Sequence, residues 1–174
     1  MLHSTRTTII SRALAVAAAG VLAASLSGCS VLEGVLGSGQ KPVRDAETQE
    51  ITEAGQADVF SIKVGDCLNE ASGDTVSDVP VVPCAEPHDE EAYFEGILEG
   101  EEFPGDEQVQ IKADEICYGA FESFAGISYE ESELDYYPYT PTEIGWNEAG
   151  DRVVSCIIYD PAAQTTGSLA GAAR

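Results

Sequence analysis

The stretch PCAEPHDEEAYFEG, residues 83–96, concentrates the side chains of this chain that could do chemistry. Eight consecutive positions hold a thiol, an imidazole and three adjacent carboxylates: Cys84, His88, Asp89, Glu90 and Glu91. Thiolates, imidazoles and carboxylates bind zinc in proteins, and a histidine beside a carboxylate is a common general acid–base pair. The stretch therefore raises three alternatives: a metal site, a hydrolytic site, or the end of a strand held by a disulfide.

The ligands that a metal site would need are scarce. The chain has two histidines, His3 and His88, and no C-x-x-C pair. Zinc takes three or four ligands, and adjacent acids on an extended chain point to opposite sides. No D-x-D-x-D-G loop indicates calcium, although residues 99–107, EGEEFPGDE, are acidic enough to attract a cation weakly. We predict no metal site and no cofactor, with a weak cation-binding surface protein as an alternative.

Motifs for catalysis are also missing. A serine hydrolase would have to use His88, and no G-x-S-x-G sequence is present. Nothing distinguishes one carboxylate pair among the 31 acidic residues. We predict that the chain is not an enzyme and has no catalytic residue. A hydrolase that uses His88 and a carboxylate is the alternative.

The first 28 residues are typical of a cleavable export signal. Arg6 and Arg12 precede an apolar run, residues 13–27, that is too short for an ordinary membrane-spanning helix. The run ends in LSGC, residues 26–29, which resembles the lipobox of bacterial lipoproteins. This resemblance implies that Cys29 carries a lipid and anchors the chain to the outer face of the plasma membrane.

Export affects the interpretation of the remaining cysteines. Cys67, Cys84, Cys117 and Cys156 are an even number, and an oxidising compartment favours two disulfides, for which three pairings exist.

The part of the chain after the predicted signal is strongly acidic. All 31 acids and only six of the eight basic residues follow position 28. This charge argues against nucleic acid as a partner and against polybasic attachment to anionic lipid.

Composition divides the rest of the chain into three parts. Residues 29–58 have no aromatic side chain and are predicted to be a lipidated N-terminus and a flexible acidic tether. Residues 59–160 hold every aromatic residue and are predicted to be one globular domain. A domain of this size supports only a small core, so two disulfides would help to stabilise it. Residues 161–174 have the composition of a loose tail.

Hydrophobic patterning in the predicted domain alternates as expected for strands. It predicts strands at 59–69, 75–84, 91–98 and 151–160, and an irregular segment or a further strand at 127–140. Prolines in the second strand predict an edge strand or a strand end. Asp106 is the predicted N-cap of a helix that runs to about Ala125, where Gly126 ends it.

These elements predict a small α+β fold, in which one main helix packs on an antiparallel sheet and two disulfides cross-link the domain. Cys117 lies on the apolar face of the helix, and Cys156 lies on the apolar side of the last strand. A Cys117–Cys156 disulfide would join helix and sheet. The pairing Cys67–Cys84 would then join the first two strands.

Several of these segments together resemble a known family. They are VGDCLN (64–69), VPVVPCAEPHDEEAY (79–93), CYGAFESFAG (117–126), PTEIGWNEAGDRVVSC (141–156) and TGSLAGAAR (166–174). In order and spacing they resemble the septum formation domain of actinobacterial envelope proteins, many of which are lipoproteins. The resemblance implies a link to septum formation or envelope growth and implies no defined activity. Its last segment leaves open whether the C-terminal tail docks on the domain.

Three residues remain as candidates for function. His88 could respond to protonation or could simply hydrogen-bond a turn. Trp146 could form an aromatic contact surface with YYPY, residues 136–139, or could lie in the core, and Arg152 is expected to pair with a carboxylate. We predict a non-catalytic, membrane-anchored envelope lipoprotein that acts as an adaptor. Its expected partner is an envelope protein or a wall component.

Overall fold

A six-stranded antiparallel sheet and one long helix form the domain. The computed structural model describes residues 40–71 and 77–174, which belong to one unit, Gly39–Arg174. The strands are β1 (Val43–Arg44), β2 (Ile51–Glu53), β3 (Gly55–Asp58), β4 (Cys67–Leu68), β5 (Asp78–Val82), β6 (Glu90–Ile97), β7 (Asp135–Tyr139) and β8 (Val153–Tyr159). The helix α1 spans Asp106–Ala125, and helical turns occupy Val59–Ser61, Tyr129–Glu131 and Gly145–Ala149. The predicted signal peptide and Cys29 lie outside the described residues.

The order of strands in the main sheet is β3-β5-β4-β6-β8-β7, and β1 pairs separately with β2. The two faces of the sheet carry separate hydrophobic clusters. One cluster packs under α1 and includes Tyr93, Phe121, Trp146 and Val154. The other includes Ile51, Leu68, Val81 and Ile157. The predicted α+β fold with one main helix is confirmed.

Helix α1 forms where the apolar residues recur at helical spacing. Its buried side chains are Val109, Ala113, Cys117, Phe121 and Ala125, which follow one another every four residues. Acids occupy the first turn, where they interact favourably with the helix dipole. The helix ends at Gly126, which adopts a left-handed conformation with φ of 81°. Asp106 is the first helical residue, so the prediction that it is the N-cap was wrong; Gly105 holds that position.

Both predicted disulfides are present. Cys117–Cys156 joins α1 to β8, and Cys67–Cys84 joins β4 to the segment that follows β5. Cys117 and Cys156 are both fully buried and belong to the hydrophobic cluster under α1. The pairing predicted from the two apolar faces is confirmed.

The domain begins earlier than the sequence predicted. Residues 40–58, assigned to a flexible tether, form β1, β2 and β3 instead, and Ile51 and Ala57 are buried. A bidentate ion pair between Arg44 and Asp66, with N–O distances of 2.6 and 2.7 Å, connects this segment to the residue before β4. Strands of two to four residues are too short to produce a recognisable alternation.

The first predicted strand is mostly a turn. Val59–Ser61 forms a 3-10 helix because the Asp58 carboxylate accepts the Phe60 N–H at 2.8 Å. Asp66 then accepts the Lys63 N–H at 2.8 Å and turns the chain before β4. Only two residues of the predicted strand enter the sheet. Local side-chain acceptors therefore overrode the alternation of Phe60 and Ile62.

Strand β5 is internal, although its prolines predicted an edge or a strand end. Pro80 pairs with Gln56 of β3, and its carbonyl accepts the Asn69 N–H at 2.9 Å on the other side. In an antiparallel strand the N and O of a residue point to the same neighbour. The absent N–H of Pro80 thus faces Asn69, the residue after β4, so the reciprocal hydrogen bond is missing where the pairing of β4 with β5 ends.

Removing the longer disulfide should cost more stability than removing the shorter one. Cys117–Cys156 spans 39 residues and Cys67–Cys84 spans 17. Alanine at both members of each pair should lower the free energy of unfolding by about 4 and about 3 kcal/mol, respectively, because longer loops restrict the unfolded chain more. Urea denaturation of the two double variants measures the order. The reverse order would contradict this account.

Candidate functional site

His88 is fully buried and both of its ring nitrogens are hydrogen-bonded. Nδ1 lies 2.8 Å from the Glu86 carbonyl, which can only accept, so Nδ1 carries a proton. Nε2 lies 3.2 Å from the Thr165 hydroxyl oxygen, within hydrogen-bonding distance. The backbones of His88 and Thr165 also exchange two hydrogen bonds, at 3.0 and 2.9 Å. The imidazole therefore joins the strand end to the C-terminal segment.

Glu91, three residues further on, secures the same segment. Its side chain is 1% exposed, and its two oxygens accept the Ser168 hydroxyl and the Leu169 N–H, both at 2.6 Å. A buried carboxylate is costly unless hydrogen bonds satisfy it, and here the donors come from the C-terminal segment. Glu91 is thus a docking residue for the end of the chain.

The C-terminal segment, residues 161–174, packs on the domain and differs from the loose tail that its composition predicted. Leu169 is buried, and Gly171 and Ala173 donate to the carbonyls of Phe124 and Ala125 at the end of α1. Arg174 pairs with Asp160 at 2.7 Å. Backbone hydrogen bonds hold most of this segment, which explains why composition did not predict it.

Trp146 and Arg152 form a second structural cluster. Trp146 is 1% exposed and donates from Nε1 to the Glu101 carbonyl at 3.1 Å, with Phe103 packed against its ring. The Arg152 guanidinium lies 3.7 Å above the Trp146 ring and donates to the carbonyls of Trp146 and Gly100. This cation–π contact and these hydrogen bonds fix the loop between β6 and α1.

Two expectations about this cluster differ from the structure. Arg152 was expected to pair with a carboxylate, but its partners are backbone carbonyls, and the ion pairs among the described residues are Arg44–Asp66 and Arg174–Asp160. Trp146 lies in the core, whereas Tyr137 and Tyr139 lie on the other face of the sheet. Trp146 and YYPY therefore do not form a common aromatic surface.

A tyrosine-rich cluster surrounds the second buried carboxylate of β6. Glu90 accepts the Tyr137 hydroxyl at 2.8 Å, and Tyr137 and Tyr139 are 3.2 Å apart at their hydroxyl oxygens. Burial raises the pKa of Glu90; the hydrogen bond from Tyr137 opposes this shift, and the charges of Asp89 and Glu70 add to it. These groups border an acidic cleft of about 350 Å³. The Tyr137 hydroxyl satisfies the buried carboxylate of Glu90, so a structural role accounts for this cluster.

An open, largely apolar groove lies between β6 and α1. This groove, of about 550 Å³, is lined by Tyr93 and Phe94 from β6 and by Ile116, Gly119, Ala120, Ser123 and Phe124 from α1. Phe94 is 41% exposed. A Cβ at Gly119 would meet no atom within 4 Å beyond the adjacent helix backbone, so space beside the helix is unfilled there. We call this feature the β6–α1 groove.

Residues 40–71 and 77–174 contain neither a metal-binding cluster nor a membrane-spanning helix. Within residues 40–71 and 77–174, no three His, Cys, Asp or Glu side chains are grouped closely enough to hold a metal ion. In the same part of the chain, no helix has the length and apolar character needed to cross a membrane.

Fold and site together define a small α+β domain, cross-linked by two disulfides, whose buried polar side chains hold its own segments in place. A family model described as septum formation matches residues 40–173, about the same range as the folded unit. The chain belongs to the septum formation family. No curated protein and no solved structure matches it.

Sequence reasoning selected His88, Trp146 and Arg152 and missed Glu91 and Glu90 as individual residues. The available signal was the position of two acids directly before the apolar run Ala92–Phe94, where a strand enters the core. Adjacent residues of a strand face opposite sides, which sends Glu90 to the tyrosines and Glu91 to the C-terminal segment. The partners themselves lie 47 to 78 residues away and could not be inferred.

Neutralising Glu91 should loosen the C-terminal segment. Glu91→Gln replaces one acceptor oxygen by an amide that faces donors, so we expect a loss of about 2 kcal/mol in unfolding free energy. Cleavage within residues 161–174 by a protease should also become faster. The matched control is Glu95→Gln, an exposed acid on the same strand. Equal stability and equal proteolysis of the two variants would contradict the docking role.

Neutralising Glu90 should have the opposite effect at neutral pH. Burial raises its pKa above the ordinary 4.5, so the folded protein retains this proton to higher pH than the unfolded chain. The stability that Glu90 contributes is therefore complete below 4.5 and is lost as pH rises through the folded pKa. Glu90→Gln keeps an acceptor for Tyr137 and should melt above the wild type near neutral pH, with the difference shrinking at acidic pH.

Thermal melting of Glu90→Gln and the wild type between about pH 4 and about pH 7 tests this sign. The exposed acid Glu95 again provides the control, as Glu95→Gln, which should run parallel to the wild type. A variant that melts below the wild type throughout would show that Glu90 stabilises the fold in its charged form.

Proposed function

We propose that this chain is a non-catalytic adaptor of the bacterial cell envelope that takes part in septum formation. A lipid on Cys29 would anchor it to the outer face of the plasma membrane, and the domain would bind an envelope protein or a wall component. The observation that carries the proposal is a contrast within the domain. Its chemically versatile side chains are engaged in holding the fold, while the β6–α1 groove is open.

Support for a non-catalytic role comes from the side chains that an enzyme would use. The four cysteines of the domain are in disulfides, and the ring of His88 is engaged by Glu86 and Thr165. General acid–base catalysis requires a group within reach of a substrate proton, and His88 is 0% exposed. The geometry therefore gives no specific support to a hydrolase that uses His88.

Support for the location comes from the covalent chemistry. Disulfides persist in oxidising compartments outside the cytoplasm, and Cys117–Cys156 lies in the centre of the core. The LSGC sequence at residues 26–29 provides the lipidation signal. Membership of the septum formation family supports the septal part of the proposal.

Changing Cys29 should separate anchoring from folding. The full chain would be expressed with a fluorescent protein fused after Arg174, as the wild type, as Cys29→Ser and as the neighbouring control Ser30→Ala. We expect the wild type and Ser30→Ala to sediment with membranes, to carry a lipid by mass spectrometry and to concentrate at septa. Cys29→Ser should carry no lipid, because serine lacks the thiol that is alkylated.

Two results would contradict parts of this proposal separately. Lipid attached to Cys29→Ser, or membrane sedimentation unchanged by it, would refute the anchor. Uniform fluorescence of the lipidated wild type around the cell would refute the septal role and would leave the anchor supported.

A further inference from the structure

We propose that the edge of β6 that faces away from β8, at Glu95 and Ile97, binds an extended basic segment of a partner protein as an additional strand. The apolar side chains of that segment would lie in the β6–α1 groove. This proposal rests on the proposed adaptor function and gives the chemical class of the partner.

The edge of β6 is unpaired over its second half in the part of the chain that the structure describes. Strand β4 pairs with Glu90 and Glu91 alone, whereas β8 accompanies β6 to Ile97. The Leu98 N–H donates to the carbonyl of Arg152, the residue before β8. The backbone N–H and C=O groups of Gly96 and Phe94, two and four residues earlier, therefore also point toward β8. The N–H and C=O groups of Glu95 and Ile97 consequently point away from β8.

A bulge at Tyr93 accounts for this orientation. The register between β6 and β8 shifts by one residue between Ala92 and Phe94. Before the bulge, Ala92 exchanges hydrogen bonds with Gly65 and Asp66 on the β4 side. After it, the parity is reversed, and Glu95 and Ile97 point to the side where β4 would continue. Two donors and two acceptors are therefore available to an added strand.

The two faces of β6 select the side chains of such a strand. Phe94 and Gly96 face α1, where Gly96 lies so close to Ile116 that a Cβ would be 2.5 Å from its side chain. A strand beside them would place alternate residues in the β6–α1 groove, next to Gly119. Its other residues would lie on the opposite face, beside the exposed Glu95 carboxylate. Alternating apolar and basic residues fit these two faces.

The negative charge around the edge favours a basic partner over a second copy of this chain. Helix α1 carries five acids and one basic residue, Lys112, and Glu95 and Glu99 are exposed at the edge. A second copy would bring the same carboxylates together, within a chain of net charge −23. A strand with Lys or Arg on one face would instead be attracted by these carboxylates. Backbone hydrogen bonds to β6 would fix its register.

The test uses the full chain in detergent micelles and synthetic peptides of about six residues, the usual length of a strand. One peptide alternates Lys and Val, a second alternates Glu and Val, and a third has the first composition with a central Pro. Fluorescence anisotropy measures affinity, and hydrogen exchange measures protection of single amides. We expect binding of the Lys–Val peptide that weakens with salt, and new protection at the Glu95 and Ile97 amides.

Paired variants measure the contributions of the β6 edge and of the β6–α1 groove to binding separately. Ile97→Pro removes one outward donor and should weaken binding about tenfold, whereas Ile97→Val keeps it and should not. Gly119→Leu fills the unoccupied space and should also weaken binding. Its control, Gln110→Leu, adds the same side chain nine residues earlier, on the opposite side of α1. Melting curves verify that each variant is folded.

Each outcome either supports or overturns the proposal. Equal affinity for the Lys–Val and Glu–Val peptides, or full affinity in folded Gly119→Leu and Ile97→Pro, overturns it. Dimerisation of the full chain that is lost in Ile97→Pro also overturns it, because the occupant would then be a second copy. Failure of every peptide with intact septal localisation of the lipidated protein rejects this strand site and leaves the adaptor function standing.

Discussion

The bulge at Tyr93 is the local feature on which the rest of the domain depends. One extra residue in β6 places Ala92 in the cluster on one face of the sheet and both Tyr93 and Phe94 on the face toward α1. Tyr93 can then donate to the Cys117 carbonyl at 2.6 Å, in the middle of α1. The same reversal points the backbone of Glu95 outward. Core packing and the open edge thus have one common cause.

Position along β6 also determines how the acidic side chains are used. Before the bulge, Glu90 and Glu91 lie on opposite faces and accept hydrogen bonds from tyrosine and from the C-terminal segment. Asp66 plays a similar part for the N-terminal strands through Arg44. With so few cations in the chain, most of these carboxylates are satisfied by neutral donors, which hold distant segments together without ion pairs. The remaining acids of residues 40–71 and 77–174 are at least partly exposed and give the domain its negative field.

Much of the fold could be predicted because its signals are local. The four-residue spacing of Val109, Ala113 and Cys117 defines a helix whatever lies opposite it, and Gly126 ends it. The same spacing puts Cys117 on the apolar face of the helix, and the apolar position of Cys156 in the last strand made it the predicted partner. The first strands could not be predicted, because β1 to β4 have two to four residues and are held by Asp58 and Asp66.

By itself, the sequence determined the helix, the longer strands, the two disulfides and the acidic character of the domain, because each depends on residue types and spacing along the chain. The tertiary structure alone decided the roles of individual side chains. His88 stood out as a reactive residue in PCAEPHDEEAYFEG, yet its ring is occupied by Glu86 and Thr165, the latter 77 residues away. The unpaired edge at Glu95 and Ile97 likewise follows from where β4 ends, and strand pairing between distant segments has no local signal in the sequence.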